Sequence, residues 1–156
     1  MRNILSEGDT APDFTATLTD GSEVTLSEML KDSGVILYFY PRDNTPGCTT
    51  QACDFRDNFD SLKESGWRVI GVSKDSAKSH TKFIDKHGLP FELIVDGETA
   101  LNKLYGTWTE KKLYGRTFLG CIRSTFAINQ DGTLAWVGYK VQSKGHVERV
   151  MNDLNG

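Results

Sequence analysis

The amino-acid sequence predicts an α/β fold: a central mixed sheet flanked by helices, with a β-hairpin extension at its N-terminal side. Apolar runs of strand length, from Gly34 to Tyr40 and from Trp67 to Ser73, read as core strands. Segments of helical pattern follow each of them, and proline and glycine punctuate the joins at Pro41, Pro46, Gly47, Gly88 and Pro90. A cysteine, Cys48, comes directly after the first core strand, where strand gives way to helix.

In order along the chain, residues 13–18 and 22–25 flank Asp20-Gly21, a good two-residue hairpin turn. Ser27 and Glu28 open a short helix. The strand 35–40 ends at Pro41, and the helix that carries Cys48 runs to about residue 64. Residues 67–73 form the second core strand, and 77–87 a helix that Gly88 and Pro90 end. A strand at 91–95, a short helix near 99–104, a strand at 125–129, the Asp131-Gly132 turn, a strand at 134–139 and a final helix at 145–154 complete the chain. Strand, helix, strand, then hairpin and terminal helix is the element order of a thioredoxin-like α/β fold. No linker or internal repeat divides the 156 residues, so one domain is expected over 1–156.

A net charge of −3 gives no general basis for binding nucleic acid or an anionic membrane. The start, Met1 to Gly8, has no signal-peptide apolar stretch, and no run approaches the length of a membrane span, so a cytoplasmic protein is expected. Three cysteines are too few, and odd in number, for a disulfide framework; in a reducing compartment they read as chemistry.

Cys48 is the most informative of them. On the first turn of a helix, unpaired backbone N–H groups and the positive end of the helix dipole favour the thiolate. Free cysteine is often a buried core residue, but Asp43, Asn44, Thr45 and Gly47 are loop formers, and a loop beside a thiol suggests access. Cys53 lies five residues on. That spacing turns by about 140° and rises about 7.5 Å, leaving the Cα atoms roughly 8–9 Å apart on an intact helix. A disulfide needs less than about 7 Å, so a bridge between them requires the helix to unwind. The spacing is not that of a C-x-x-C reductase, and zinc lacks further ligands because His80, His87 and His146 show no paired spacing.

Pro41, Thr45 and Cys48 match the P-x-x-x-T-x-x-C motif of peroxiredoxins. With Cys53 and the later Arg123-Ser124-Thr125-Phe126, the chain resembles the bacterioferritin comigratory protein, or peroxiredoxin Q, branch. Gly8-Asp9-Thr10-Ala11-Pro12-Asp13-Phe14, Gly71-Val72-Ser73-Lys74-Asp75 and the stretch from Trp108 to Arg116 extend the resemblance over nearly the whole chain.

The resemblance implies a thiol peroxidase that needs no cofactor or metal. Cys48 would be the peroxidatic thiolate, attacking a hydroperoxide and becoming a sulfenic acid. Thr45 would place a hydroxyl near the peroxide or the sulfur, unless it serves as a helix cap. Arg123 would favour the thiolate and stabilise charge on the leaving oxygen. Pro41 would shape and shield the pocket while ending its strand. Cys53 matches the resolving cysteine, closing an intramolecular disulfide that a dithiol such as thioredoxin reduces. The resemblance also implies a monomer. At the fold level, Cys48 and Arg123 could meet at the carboxyl ends of the strands.

The remaining candidates read more plainly. Cys121 is a small buried hydrophobe or a secondary thiol. Trp108, Tyr105 and Tyr114 sit in a polar, lysine-bearing loop, either lining the approach to the thiol or anchoring the loop to the core. His80 and His87 look like polar-face residues of their helix. Asp43 and Asp54 are acids near a helix start, where they suit the dipole but oppose a nearby thiolate. Two other classes of function stay open beside the peroxidase: a thiol–disulfide oxidoreductase, and a redox sensor or holdase that does not turn over.

Overall fold

The structure, a computed structural model, describes residues 3–155; Met1 and Arg2, part of the start read above as lacking a leader, lie outside the described residues, as does Gly156. The N-terminal hairpin forms from β1 (Thr15–Leu18) and β2 (Glu23–Thr25). Thr15 stands opposite Thr25, and the Asp20 carboxylate accepts from the Ser22 N–H at 2.9 Å to hold the turn. After α1 (Leu26–Met29) come β3 (Gly34–Phe39), α2 (Pro46–Asp57), α3 (Phe59–Glu64), β4 (Trp67–Ser73) and α4 (Ala77–His87). The chain continues through β5 (Glu92–Val95), α5 (Ala100–Leu104), β6 (Trp108–Leu113), β7 (Arg116–Cys121), β8 (Ser124–Ile128), β9 (Leu134–Gly138) and α6 (His146–Asn155).

Seven strands form one open sheet in the order β2-β1-β5-β4-β3-β8-β9. β3 and β4 are parallel, as are β4 and β5, whereas β8 runs antiparallel to β3, so the sheet is mixed as expected of the thioredoxin-like fold. β3 lies within it and all six of its residues are buried. Because side chains alternate along a strand, Val35, Leu37 and Phe39 enter one core with Leu26 and Met29 of α1 and Leu101 of α5. Ile36 and Tyr38 enter the other with Ala52 and Phe55 of α2, Leu62 of α3, Phe83 of α4 and Val147 of α6. A strand covered on both faces needs an unbroken apolar run, which is what the sequence supplies. Each large side chain buried there stabilises the fold by about 1.5–3 kcal/mol, so the strand leading to Cys48 is firmly held.

Two expectations are corrected. The helix read from Cys48 to residue 64 is two helices, α2 and α3, broken at Asn58, whose backbone sits at φ −108°, ψ 7°. Asn58 Nδ2 donates to Asp54 O at 2.8 Å, a side-chain bond that satisfies a terminal carbonyl. The segment read as a polar loop around Trp108 and Tyr114 is largely a second, two-stranded sheet, β6 and β7, with Trp108 opposite Cys121. Its turn, Tyr114-Gly115, has positive φ at both residues (52° and 77°), the conformation of a tight hairpin. Tyr105 precedes it as an anchor: the ring is fully buried and its hydroxyl donates to Pro12 O at 2.7 Å. Tyr114, at the tip, is 96% exposed. Among the described residues no helix is long and apolar enough to cross a membrane.

Candidate active site

The end of β3 delivers the chain through a short loop to the start of α2. Asn44 takes a left-handed backbone (φ 61°), which its short polar side chain tolerates. Thr45 then stands at the N-cap in an extended conformation, and Pro46 takes the first helical position, where a missing N–H is harmless. Cys48 is therefore in the first turn of α2, among N–H groups that have no partner within the helix. Its side chain is only 2% exposed and packs in the core shared with Tyr38, Tyr40, Ala52 and Phe55.

Arg123 reaches Cys48 from 75 positions away because of sheet register. β8 pairs antiparallel with β3 so that Ser124 faces Phe39, which sets Arg123 beside the end of β3. Its backbone is fixed as the Val141 N–H donates to Arg123 O at 2.9 Å. Nη2 donates to Cys48 Sγ at 3.3 Å and Nη1 to Gln51 Oε1 at 2.7 Å. The planar fork thus engages two side chains three apart on one face of α2. Gln51 is fully buried and was not singled out from the sequence; its i+3 relation to Cys48 was the available signal. Gly47 allows this approach: a Cβ there would lie 3.1 Å from Arg123 Nη2 and 3.3 Å from Ser143 Oγ. Helix start and guanidinium thus both turn N–H donors toward the sulfur.

The Thr45 hydroxyl donates to Arg42 O at 2.9 Å and makes no cap bond to the helix. With its proton engaged there, the oxygen is left as an acceptor. Pro41 is half-buried and lines, with Ile122, Arg123, Lys111, Lys112 and Lys140, a cavity of about 610 Å³ that reaches the arginine bonded to the thiol. Residues Thr109 to Lys112 of strand β6 form one wall of it.

Cys53 is half-buried on the same helix, its Sγ 3.9 Å from His87 Nδ1. All three cysteines are free thiols. Because α2 is continuous from Pro46 to Asp57, Cys48 and Cys53 keep the helical separation that forbids a bridge. Cys121 is 5% exposed, and burial pushes its thiol up to about 12 despite the opposing effect of Lys111. The inert, buried reading fits it.

Three further expectations meet the structure. His80 is not on a polar face: it is completely buried, with Nδ1 2.7 Å from Asp43 Oδ2 and Nε2 2.9 Å from Ile94 O. Asp43 is likewise buried and turns away from the helix start toward His80. Burial alone would raise its carboxyl, but hydrogen bonds from His80 and Tyr40 outweigh that and hold it below the usual range. Asp54 is half-buried, and burial, then Asp57, raises its carboxyl. Among the described residues, Asp43, Asp75 and His80 are the grouping whose ligand atoms come within 4.8 Å of one another. Those atoms are engaged with one another and with neighbouring N–H and O–H donors, so they form a hydrogen-bonded cluster.

The sequence model of the AhpC/TSA family matches residues 7–137. Over 147 residues the chain is 45% identical to peroxiredoxin Bcp of Bacillus subtilis, covering 94% of this chain and 93% of that protein. Among solved structures, a cysteine-to-serine variant of PrxQ from Xylella fastidiosa superposes with a TM-score of 0.90 at 34% identity, covering 97% and 96% of the two chains. The Xanthomonas campestris bacterioferritin comigratory protein matches at 36% identity and a TM-score of 0.85, covering 91% of this chain and 90% of that one. That structure is one of a set of trapped intermediate and ligand complexes bearing on its alkyl peroxide reduction.

Proposed function

The chain belongs to the AhpC/TSA family and is a peroxiredoxin, a peroxidase of the Bcp and PrxQ type; on that premise we propose that Cys48 is the peroxide-reducing thiol of a two-cysteine cycle completed by Cys53 and an external dithiol. The Cys48 thiolate attacks one oxygen of a hydroperoxide: the S–O bond forms, the O–O bond breaks, and the electron pair leaves on the other oxygen, which is protonated to water or an alcohol. Arg123 stabilises charge on sulfur and leaving oxygen, Thr45 accepts a hydrogen bond from the peroxide, and Pro41 shields the pocket. The single observation carrying this reading is the Arg123 guanidinium 3.3 Å from a cysteine sulfur on the first turn of a helix.

Cys48 leaves this step as a sulfenic acid. The start of α2 then unwinds, and the Cys53 thiolate attacks the Cys48 sulfur, expelling hydroxide and closing the disulfide. A dithiol such as thioredoxin reduces the bridge by exchange. With both cysteines on one helix, a monomer completes the cycle, and the need for reduced thiols suits the cytoplasm. The test is peroxide consumption by Cys48→Ser and Cys53→Ser proteins, supplied with thioredoxin and its reductase. Cys48→Ser should be inert, and Cys53→Ser should react once and then accumulate sulfinic acid. Activity retained in Cys48→Ser, or an intramolecular disulfide still forming in Cys53→Ser, would sink the assignment.

A further inference from the structure

The loop ahead of Cys48 is fastened to the body of the protein through Asp43, a residue that the mechanism above leaves unused. Asp43 is 6% exposed, although its neighbours Arg42 and Asn44 are both exposed. Oδ1 accepts from the Tyr40 hydroxyl at 2.6 Å; Oδ2 accepts from Ser79 Oγ at 2.8 Å and faces His80 Nδ1 at 2.7 Å. The Asp43 backbone N–H donates to Asp75 Oδ2 at 2.7 Å, an oxygen that also takes the Ser73 hydroxyl at 2.9 Å. On its far side, His80 Nε2 meets the Ile94 carbonyl oxygen at 2.9 Å. A carbonyl only accepts, and so does an ionised carboxylate, so this arrangement is satisfied when both ring nitrogens donate. The ring then spans from the loop, through α4, to β5 inside the sheet.

We propose that the Asp43–His80 pair is a positioning device for peroxide reduction, setting the backbone of residues 42–45 and thereby the Thr45 hydroxyl and the start of α2 relative to Arg123. The link is short. Asp43 directly follows Arg42, whose carbonyl oxygen takes the Thr45 hydroxyl at 2.9 Å, and only Asn44, with its left-handed backbone, separates Asp43 from Thr45. Arg123 comes to the thiol from the other side of the site, from the joint between β7 and β8. Two halves arriving from different elements stay aligned only if the loop half is fixed from behind. Buried carboxylate and imidazole do that without touching the reacting atoms. This inference rests on the reading of Cys48 as the peroxide-reducing thiol.

The test uses two substitutions in the full-length protein. His80→Gln keeps an amide within reach of Ile94 but removes the donor to Asp43, whereas His80→Asn keeps a donor where Nδ1 stood. Two rates are measured on each reduced protein: consumption of hydrogen peroxide, and alkylation of Cys48 by iodoacetamide, which uses the same thiolate but has no peroxide oxygen for Thr45 and Arg123 to hold. His80→Gln should lower the peroxide rate by roughly tenfold to a hundredfold, as a misplacement of about 1 Å does, and change alkylation by less than about threefold. His80→Asn should recover part of the loss. An unchanged peroxide rate in a folded His80→Gln protein, or equal falls in both rates, overturns the proposal. Should His80→Gln fail to fold, Asp43→Asn, which turns one carboxylate oxygen into a donor facing donors, is judged by the same pair of rates. Cys48→Ser runs alongside: peroxide consumption surviving there removes the reading of Cys48, whereas an inert Cys48→Ser with a wild-type-like His80→Gln removes the positioning pair alone.

Discussion

Replacing Ala52 with glycine should speed disulfide closure and reduce overoxidation. Ala52 lies between Cys48 and Cys53 on α2 and is fully buried. In the proposed cycle the bridge closes only after this part of the helix opens, so whatever weakens the folded helix without touching either thiol should favour the bridge. Glycine is about 0.8–1.0 kcal/mol less favourable than alanine in a helix interior. The deleted methyl removes about 0.8 kcal/mol of burial that only the closed helix enjoys. Together these amount to about 1.7 kcal/mol, and at 1.4 kcal/mol per factor of ten the unwound form becomes roughly tenfold to twentyfold more populated. Reduced protein mixed with one equivalent of hydrogen peroxide, quenched with acid at intervals and mapped by mass spectrometry, gives the rate of disulfide formation. Excess peroxide gives the sulfinic fraction per turnover. Ala52→Gly should form the bridge about tenfold faster and carry less sulfinate. Disulfide formation that is unchanged or slower in a variant whose thermal transition has dropped would mean that opening of α2 does not gate closure.

Two other outcomes are expected. Arg123→Met removes the donor to Cys48 Sγ and leaves Gln51 Oε1 without its partner; the peroxide rate should fall by about 10²–10³ in stopped-flow kinetics, the range for loss of one charge-stabilising donor, and a change under fivefold would remove Arg123 from the chemistry. His146 is buried at the start of α6, and burial, then Arg149 and Arg123, lower its pKa from the ordinary 6.5 to about 4. The unfolded chain binds this proton first, so the stability from the neutral ring is present above about 6.5 and drains away as pH falls toward 4, a loss of about 3 kcal/mol. Calorimetry from pH 7 to pH 4 should show a shallower decline for His146→Gln, and identical slopes would refute the assignment.

What the sequence disclosed and what it hid follow a physical division. Periodicity and punctuation are local, and they placed β3, β4 and α4 together with the turn that carries Cys48. Gly88, for example, ends α4 with the left-handed backbone its type suggests (φ 58°). The β6–β7 hairpin escaped because Glu110, Lys111 and Lys112 interrupt the apolar alternation, and because its turn is Tyr-Gly and not the familiar Asn-Gly or Asp-Gly. The break at Asn58 escaped because apolar residues continue past it at Phe59 and Leu62, as if one helix persisted. His80 was misread for a different reason. Its own helix gives it polar neighbours, and the partner that makes burial tolerable, Asp43, is 37 positions away on a loop. A lone histidine reads as solvated unless the acceptor that satisfies it is known. Gln51 shares that fate: a buried amide is explained only by Arg123, which sheet register brings from 72 positions off.

How far α2 would open in the proposed cycle follows from where its side chains are anchored. From Pro46 to Cys53 the buried residues are Cys48, Gln51 and Ala52, and Gly47, Thr49 and Thr50 are weak helix formers. Phe55, two residues beyond Cys53, is held far more tightly. It is fully buried, its ring stacks on Tyr38 at 4.6 Å, and it meets Phe91 and His146 edge-on at 6.4 Å each. Withdrawing such a ring costs about 3–5 kcal/mol, by the measure of phenylalanine truncations. One residue further, Arg56 Nη1 donates to His87 O at 2.7 Å, tying this end of α2 to α4. Unwinding is therefore expected to run from the N-terminal end through Cys53 and stop at Phe55, just far enough to free both sulfurs. Native-state hydrogen exchange reads this directly. The amides of Thr49 to Cys53, beginning with the Thr49 N–H bonded to Thr45 O at 2.8 Å, should exchange through a small opening well below global unfolding. The Leu62 N–H, bonded to Asn58 O at 3.0 Å beyond the break, should require a larger one. If both sets open together, Phe55 is not the stop, and the resolving step must release α3 as well.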